Sequence, residues 1–180
     1  MTPERPGATT VRVLFLNGAV GAGKSTVAAA IGAMLETRGT PHAVIDLDEL
    51  RRGWPPPEGD RFNFAIELAN LRPVAANYVA SGARILVLAG VIEEARAIDL
   101  YTDALGGVRP TVIRLRVEPA EAERRLRLRH VGDTEGLAWH LHRHGELDAV
   151  IDAAGIPGPI VDTTGRTPEG IAREVLDTAV

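Results

Sequence analysis

The sequence predicts an α/β fold: a three-layer sandwich in which helices cover both faces of a five-stranded parallel sheet. Three observations point there. Short, continuously apolar runs of strand length recur along the chain, segments with helical spacing separate them, and the first run leads through a glycine-rich turn into a helix. Runs that are apolar throughout belong to strands buried on both faces, and helical crossovers between them make neighbouring strands parallel.

The elements follow in order. VRVLFLN (11–17) is the first strand, and a helix starts at about Lys24 with Val27, Ile31, Met34 and Leu35 on its apolar stripe; Gly39 and Pro41 stop it. AVIDLD (43–48) is the second strand and its exit, RILVLAG (84–90) the third, TVIRLRV (111–117) the fourth and PIVDT (159–163) a short fifth. Helical segments are expected near 93–105, 119–130, 134–144, 146–154 and 168–179. Residues 51–63 hold a proline triplet and cannot be one helix, whereas 64–80 show helical spacing that Pro73 either kinks or divides.

Composition narrows the functional classes. A chain of 180 residues with 45% apolar content suits a single domain over 1–180, with a core mostly of Val, Leu, Ile and Ala, because aromatics are only 4%. A net charge of -4 argues against a nucleic-acid or acidic-membrane partner. The absence of cysteine excludes disulfides and thiolate metal sites. No apolar run is long enough to span a membrane, and the N-terminus reads as a loose tail before the first strand rather than a signal peptide. A cytoplasmic protein is the expectation, with a homodimer left open.

Gly18-Ala19-Val20-Gly21-Ala22-Gly23-Lys24-Ser25 fits G-x-x-x-x-G-K-[ST], followed by Thr26, and it lies between a strand and a helix as that motif requires. Such a loop curls backbone N–H groups around phosphate oxygens at a helix N-terminus. Lys24 is the only lysine in the chain; all other strongly basic residues are arginine. A compact ammonium on a flexible stem reaches the β- and γ-phosphates in a way that a planar guanidinium does not. Ser25 supplies a hydroxyl to Mg²⁺, so the expected cofactors are ATP and Mg²⁺.

With one lysine the chain cannot carry the Asn-Lys-x-Asp motif of a GTPase, and the third strand ends in Leu88-Ala89-Gly90 with no carboxylate for a metal. Carboxylates stand instead at the second strand exit, Asp46-Leu47-Asp48. Residues two apart on a strand share a face, so both could point at the phosphate loop, Asp46 toward Mg²⁺ and Asp48 toward a substrate hydroxyl proton. The plainer alternative is that one of them caps a following short helix.

The phosphate loop GAVGAGKST, then Asp46-Leu-Asp48-Glu-Leu-Arg51, then Asn70-Leu-Arg72-Pro73 before VAANYVASGARILVLAGVI, together resemble the small-molecule P-loop kinases, and among them the adenylylsulfate kinases. The resemblance covers roughly residues 11–117. It implies a nucleoside-monophosphate-kinase-like P-loop fold with strand order 2-3-1-4-5 and ATP-dependent transfer of a phosphoryl group to an alcohol. It also implies an acceptor segment at 51–80 and a lid at 119–145. The middle Gly of the family's D-G-D is Leu47 here, the second Arg of its N-x-R-R is Pro73, and its Lys-Gly-Leu-Tyr run is absent. By this resemblance Arg51, Asn70, Arg72 and Gly90 would contact the acceptor with Asp46 and Asp48. Arg125 and Arg129 would reach the transferring phosphoryl group, and Arg166 would lie beside the adenine.

Arg61 is a further acceptor candidate, while Glu121 and Arg125 could be a simple i,i+4 pair. His140, His142 and His144 alternate without a carboxylate at ligand spacing, which favours polar surface or lid packing over metal binding. Rival functions are an antibiotic- or nucleoside-modifying phosphotransferase, a toxin acting on a sugar nucleotide, and a nucleotide-gated binding module without transfer activity.

Overall fold

The structure, a computed structural model, describes residues 10–179; the expected N-terminal tail lies outside them. The strands are β1 (Arg12–Asn17), β2 (His42–Asp46), β3 (Ile85–Gly90), β4 (Thr111–Arg116) and β5 (Ile160–Asp162). The helices are α1 (Lys24–Thr37), α2 (Leu47–Leu50), α3 (Phe64–Ala80), α4 (Ala97–Ala104), α5 (Pro119–Arg129), α6 (Thr134–Ala153) and α7 (Pro168–Ala179). All strand pairings are parallel, in the order β2-β3-β1-β4-β5.

Alternation along the strands divides the core into two layers. Leu14 and Leu16 of β1, with Val87 of β3 and Leu115 of β4, pack against α1 and α7. Val13 and Phe15, with Leu86 and Leu88, pack on the opposite face against Leu71 and Ala75 of α3 and Ile98 and Tyr101 of α4. Every residue of β3 is buried, as a central parallel strand requires. Asn17, at the carboxyl end of β1, is buried; its Nδ2 donates to the Ile92 carbonyl (3.2 Å) and its Oδ1 accepts from the Ile92 N–H (3.0 Å). These bonds tie together the exits of β1 and β3, where the chain diverges to the two sides of the sheet and ligands of open α/β sheets bind.

Two boundaries differ from expectation, and one alternative left open is decided. β2 ends at Asp46 and α2 starts at once, so Asp48 is helical rather than extended. Residues 64–80 form one helix through Pro73. The two helices expected at 134–144 and 146–154 are a single α6: Gly145 faces open space, while Leu147 and Ile151 beyond it pack on Ala19 and hold the helix down. The inner half of α6 is pinned to β4 by charge. Arg114, only 8% exposed, pairs with Asp148, and both Asp152 carboxylate oxygens accept from Arg116 Nη2 at 2.9 Å.

Candidate active site

The loop from Gly18 to Thr26 links β1 to α1 beneath an open cleft of about 1580 Å³. Gly23 has φ 90°, a left-handed conformation that a side chain would strain, and it turns the chain into α1. No side chain caps α1, and no acid stands in its first turn. Its leading N–H groups and the positive end of its dipole are therefore left for an anion. Lys24 Nζ folds back onto its own loop, donating to the carbonyls of Gly18 (2.9 Å) and Ala19 (3.3 Å). Desolvation lowers its pKa to about 8, against the opposing pull of Asp48 and then Asp46. An ammonium held in this way, without a direct carboxylate partner, fits a phosphate. The donor set also fits Mg²⁺: the Ser25 hydroxyl is exposed, and Ser25, Asp46 and Asp48 line the same cleft.

Asp46 caps α2, its Oδ1 accepting from the Asp48 N–H at 3.1 Å. The two carboxylates are therefore not strand neighbours on one face; a cap and the first turn of a helix bring both to the cleft. Arg51, one turn further along, donates from Nε (2.9 Å) and Nη2 to Asp48, while its Nη1 lies 3.2 Å from Glu67 Oε2. Glu67 is completely buried, and its Oε1 accepts from the Tyr101 hydroxyl at 2.5 Å. Burial pushes the Glu67 carboxyl above its ordinary range, with Tyr101 and Arg51 pulling it back in part. The Tyr101 hydroxyl is pushed upward by the same desolvation and by Glu67. Neither Glu67 nor Tyr101 figures in the sequence reading. The signal was present, however: Glu67 stands three residues after Phe64 and four before Leu71, on the apolar stripe of α3, where an unpartnered carboxylate does not belong.

Three expected acceptor contacts sit elsewhere. Asn70 donates from Nδ2 to the Leu50 carbonyl (2.7 Å) and fastens α3 to α2. Arg72 points away from the cleft and pairs with Asp103, with 2.5 Å between Nη2 and Oδ2. Both flank Leu71, which is fully buried, so the helix turns them outward. Gly90 is covered: a Cβ there would meet Leu47 Cδ1 at 2.5 Å, so its role is close packing of α2 on β3. Asp60 instead lines the cleft and caps α3, accepting from the N–H groups of Phe64 (2.8 Å) and Ala65 (2.9 Å). Arg61 lies 5.4 Å from the Phe62 ring centroid, beside the same cleft.

On the far wall Arg125 is a strut. Its Nη1 donates to the Gly21 carbonyl (3.2 Å) and the Thr163 hydroxyl (3.1 Å), its Nη2 to the Thr163 carbonyl (2.6 Å), and its Nε to Glu121 (2.9 Å). Hydrogen bonds from Arg124 and Arg125 hold the Glu121 pKa down to about 2. Arg129 is exposed on the cleft rim. Arg166 also lines the cleft, donating from Nη1 to the Asp162 carbonyl at 2.8 Å and lying 2.6 Å from Glu174. His144 is buried with its Nδ1 2.7 Å from the Val20 carbonyl, His140 stacks on His130 at 4.4 Å, and His142 is exposed beside Glu146. No group of three metal-ligating side chains occurs among the described residues, and no helix among them is long and apolar enough to cross a membrane.

Comparison with known proteins agrees with this fold. The chain is similar in fold to the APS kinase CysC of Mycobacterium tuberculosis, solved with AMPPNP and APS (23% identity, TM-score 0.57, covering 95% of this chain and 98% of that one). It is also similar to a tunicamycin resistance protein of Deinococcus radiodurans (17%, TM-score 0.60, 93% and 94%) and to a gluconokinase of Sinorhizobium meliloti 1021 (20%, TM-score 0.61, 95% and 92%). No curated protein sequence matches it. A family model described as adenylylsulphate kinase matches residues 10–104, which hold the phosphate loop, the Asp46–Asp48 turn and all of α3. That span is more than half of the chain, which therefore belongs to the adenylylsulphate kinase family of P-loop small-molecule kinases.

Proposed function

We propose that the protein is an ATP- and Mg²⁺-dependent kinase that transfers the γ-phosphoryl group to a hydroxyl of a small-molecule acceptor. One observation carries the reading: a desolvated Lys24 ammonium rests on loop carbonyls, with the Asp48 carboxylate close enough to raise its pKa.

The chain's own groups divide the work. The loop amides and the first turn of α1 hold the phosphates, and Lys24 leaves its carbonyl partners to neutralise the charge that spreads over the γ-phosphoryl oxygens. Asp48 accepts the acceptor's hydroxyl proton as the new O–P bond forms, the bond between the γ-phosphorus and the β,γ-bridging oxygen breaks, and ADP leaves. Arg51 holds Asp48 from the acceptor side. Arg125 fixes the loop wall through Gly21, and Arg129 on the rim is free to swing toward the phosphoryl group. Mg²⁺, held by Ser25 and through water by Asp46, would offset phosphate charge. Catalysis of this kind is chiefly positioning and electrostatics.

The test is transfer from γ-labelled ATP to a panel of alcohols: adenylylsulfate, shikimate, gluconate, nucleosides, UDP-sugars, phenicols and aminoglycosides. Lys24→Ala serves as the blank. Asp48→Asn should bind MgATP like the wild type and lose transfer by roughly 100-fold or more, the contribution of a general base. A fully active Asp48→Asn would remove the base from the mechanism.

A further inference from the structure

The acceptor half of the cleft is built from residues of the β2–α3 region and the β3–α4 loop, with α4 and Arg143 of α6 completing it. A phosphosulfate or carboxylate acceptor would need an open guanidinium fork there, because such groups are held by paired N–H···O bonds. Arg51 does not offer one. Asp48 occupies its Nε–Nη2 edge, and Glu67, completely buried and held by Tyr101, lies 3.2 Å from Nη1 as an ion pair. Arg143 is paired with Glu93 and lies 5.0 Å over the Phe62 ring, and Arg96 is paired with Glu94; Arg61, 5.4 Å over the same ring, is the one arginine of this half without a carboxylate partner among the described residues, and it is engaged with the aromatic face instead. Arg72 is outside the cleft altogether. Six carboxylates line this half of the cleft against four arginines, so its field is unfavourable to an anion.

The same cleft shows apolar surface. Phe62 is 40% exposed, Leu100 48% and Trp139 44%, and all three line it. One such side chain on a surface is ordinary; three on one cleft give it apolar lining that an apolar body can use.

We infer that the acceptor is a neutral or amine-bearing alcohol with an apolar body, its hydroxyl at Asp48 and its body against Phe62 and Leu100, and that anionic acceptors such as adenylylsulfate are disfavoured. The inference rests on the kinase reading above and names the substrate class of that site.

One scaffold carrying three charges tests it. Trp139 lies one helical turn from Arg143, which covers Phe62, so its fluorescence reports on this wall; Trp54→Phe removes the other tryptophan, which is 91% exposed and outside the cleft. The protein is first saturated with the Mg²⁺ complex of the β,γ-imido analogue of ATP. It is then titrated with 4-(hydroxymethyl)benzamide, 4-(aminomethyl)benzyl alcohol and 4-(hydroxymethyl)benzoate, and with adenylylsulfate. The neutral and cationic alcohols should saturate the signal, the benzoate should bind at least about 10-fold more weakly, and Phe62→Ser should weaken the first two. The inference is overturned if the benzoate or adenylylsulfate binds as tightly as the neutral probe, if none of the three benzyl alcohols saturates, or if Phe62→Ser changes nothing. The first titration separates the two readings. If the ATP analogue binds Lys24→Ala as well as wild type, the kinase reading fails; if it binds through Lys24 and the anions win, only the acceptor class fails.

Discussion

Replacing Glu67 with leucine should destabilise the protein by about 3 kcal/mol. Removing one partner of a buried ion pair costs roughly 3–5 kcal/mol when the other charge is left alone. Arg51 would not be left alone: it keeps Asp48, and its side chain is 20% exposed, so its share falls below that range. The buried Tyr101 hydroxyl, in contrast, loses the acceptor it holds at 2.5 Å, which adds about 1–3 kcal/mol. Relief of the carboxylate's own desolvation, which raises its pKa, offsets part of the sum. At roughly 2–4 °C per kcal/mol for a chain of this size, the melting temperature should fall by about 6–12 °C. Thermal unfolding at neutral pH reads this directly. The triple variant Arg51→Met, Glu67→Leu, Tyr101→Phe removes all three polar groups and should recover most of the loss, because apolar packing replaces a buried pair at little net cost. A single variant as stable as the wild type, or a triple variant no better than the single, would refute the reasoning.

Lys24 supplies a pH prediction. Near pH 8 about half of it is neutral in the empty loop, and a bound triphosphate restores the ammonium, so MgATP binding there should take up about half a proton and weaken at higher pH. Calorimetry in two buffers of different ionisation enthalpy measures the uptake, which Lys24→Ala should abolish. Between about 8 and the ordinary value of 10.5 the unfolded chain holds a proton that the folded chain has released, so the stability of the nucleotide-free protein contributed by this group rises with pH across that window. Arg72→Ala removes only an exposed pair with Asp103; it should change stability by less than about 1 kcal/mol and leave transfer rates unchanged, and a large kinetic loss would return Arg72 to the acceptor site.

The parts of the fold legible in the sequence are those governed by burial on two faces. Residues 13–16 of β1 and all of β3 are apolar, buried runs at the centre of the sheet, and the phosphate loop carries its own motif between β1 and α1. What escaped depends on the rotation of short elements. Strand periodicity carried past Asp46 put Asp48 on an extended chain, whereas Leu47 turns inward under Gly90 and starts a helix. Motif spacing placed Asn70 and Arg72 at the acceptor, but the burial of Leu71 between them fixes the orientation of α3 and sends both outward. Arg51 lines the cleft, yet the partner that governs it, Glu67, is sixteen positions away and becomes its neighbour only when α2 packs on α3.

The continuity of α6 determines how the cleft can close. Twenty helical residues make a rod of about 30 Å. One part of that rod carries Trp139 and Arg143 at the cleft, and the other is riveted to β4 through Asp148 and Asp152. A hinged flap would fold over the nucleotide and leave the sheet untouched. A rod cannot: to move Arg143 inward it must tilt about the Leu147 and Ile151 contacts and strain the Arg114 and Arg116 pairs in the opposite sense. If a ligand draws Arg143 inward, the β4 side of the sheet is loaded through these pairs, and a probe attached near Asp152 should then respond to a ligand it never touches.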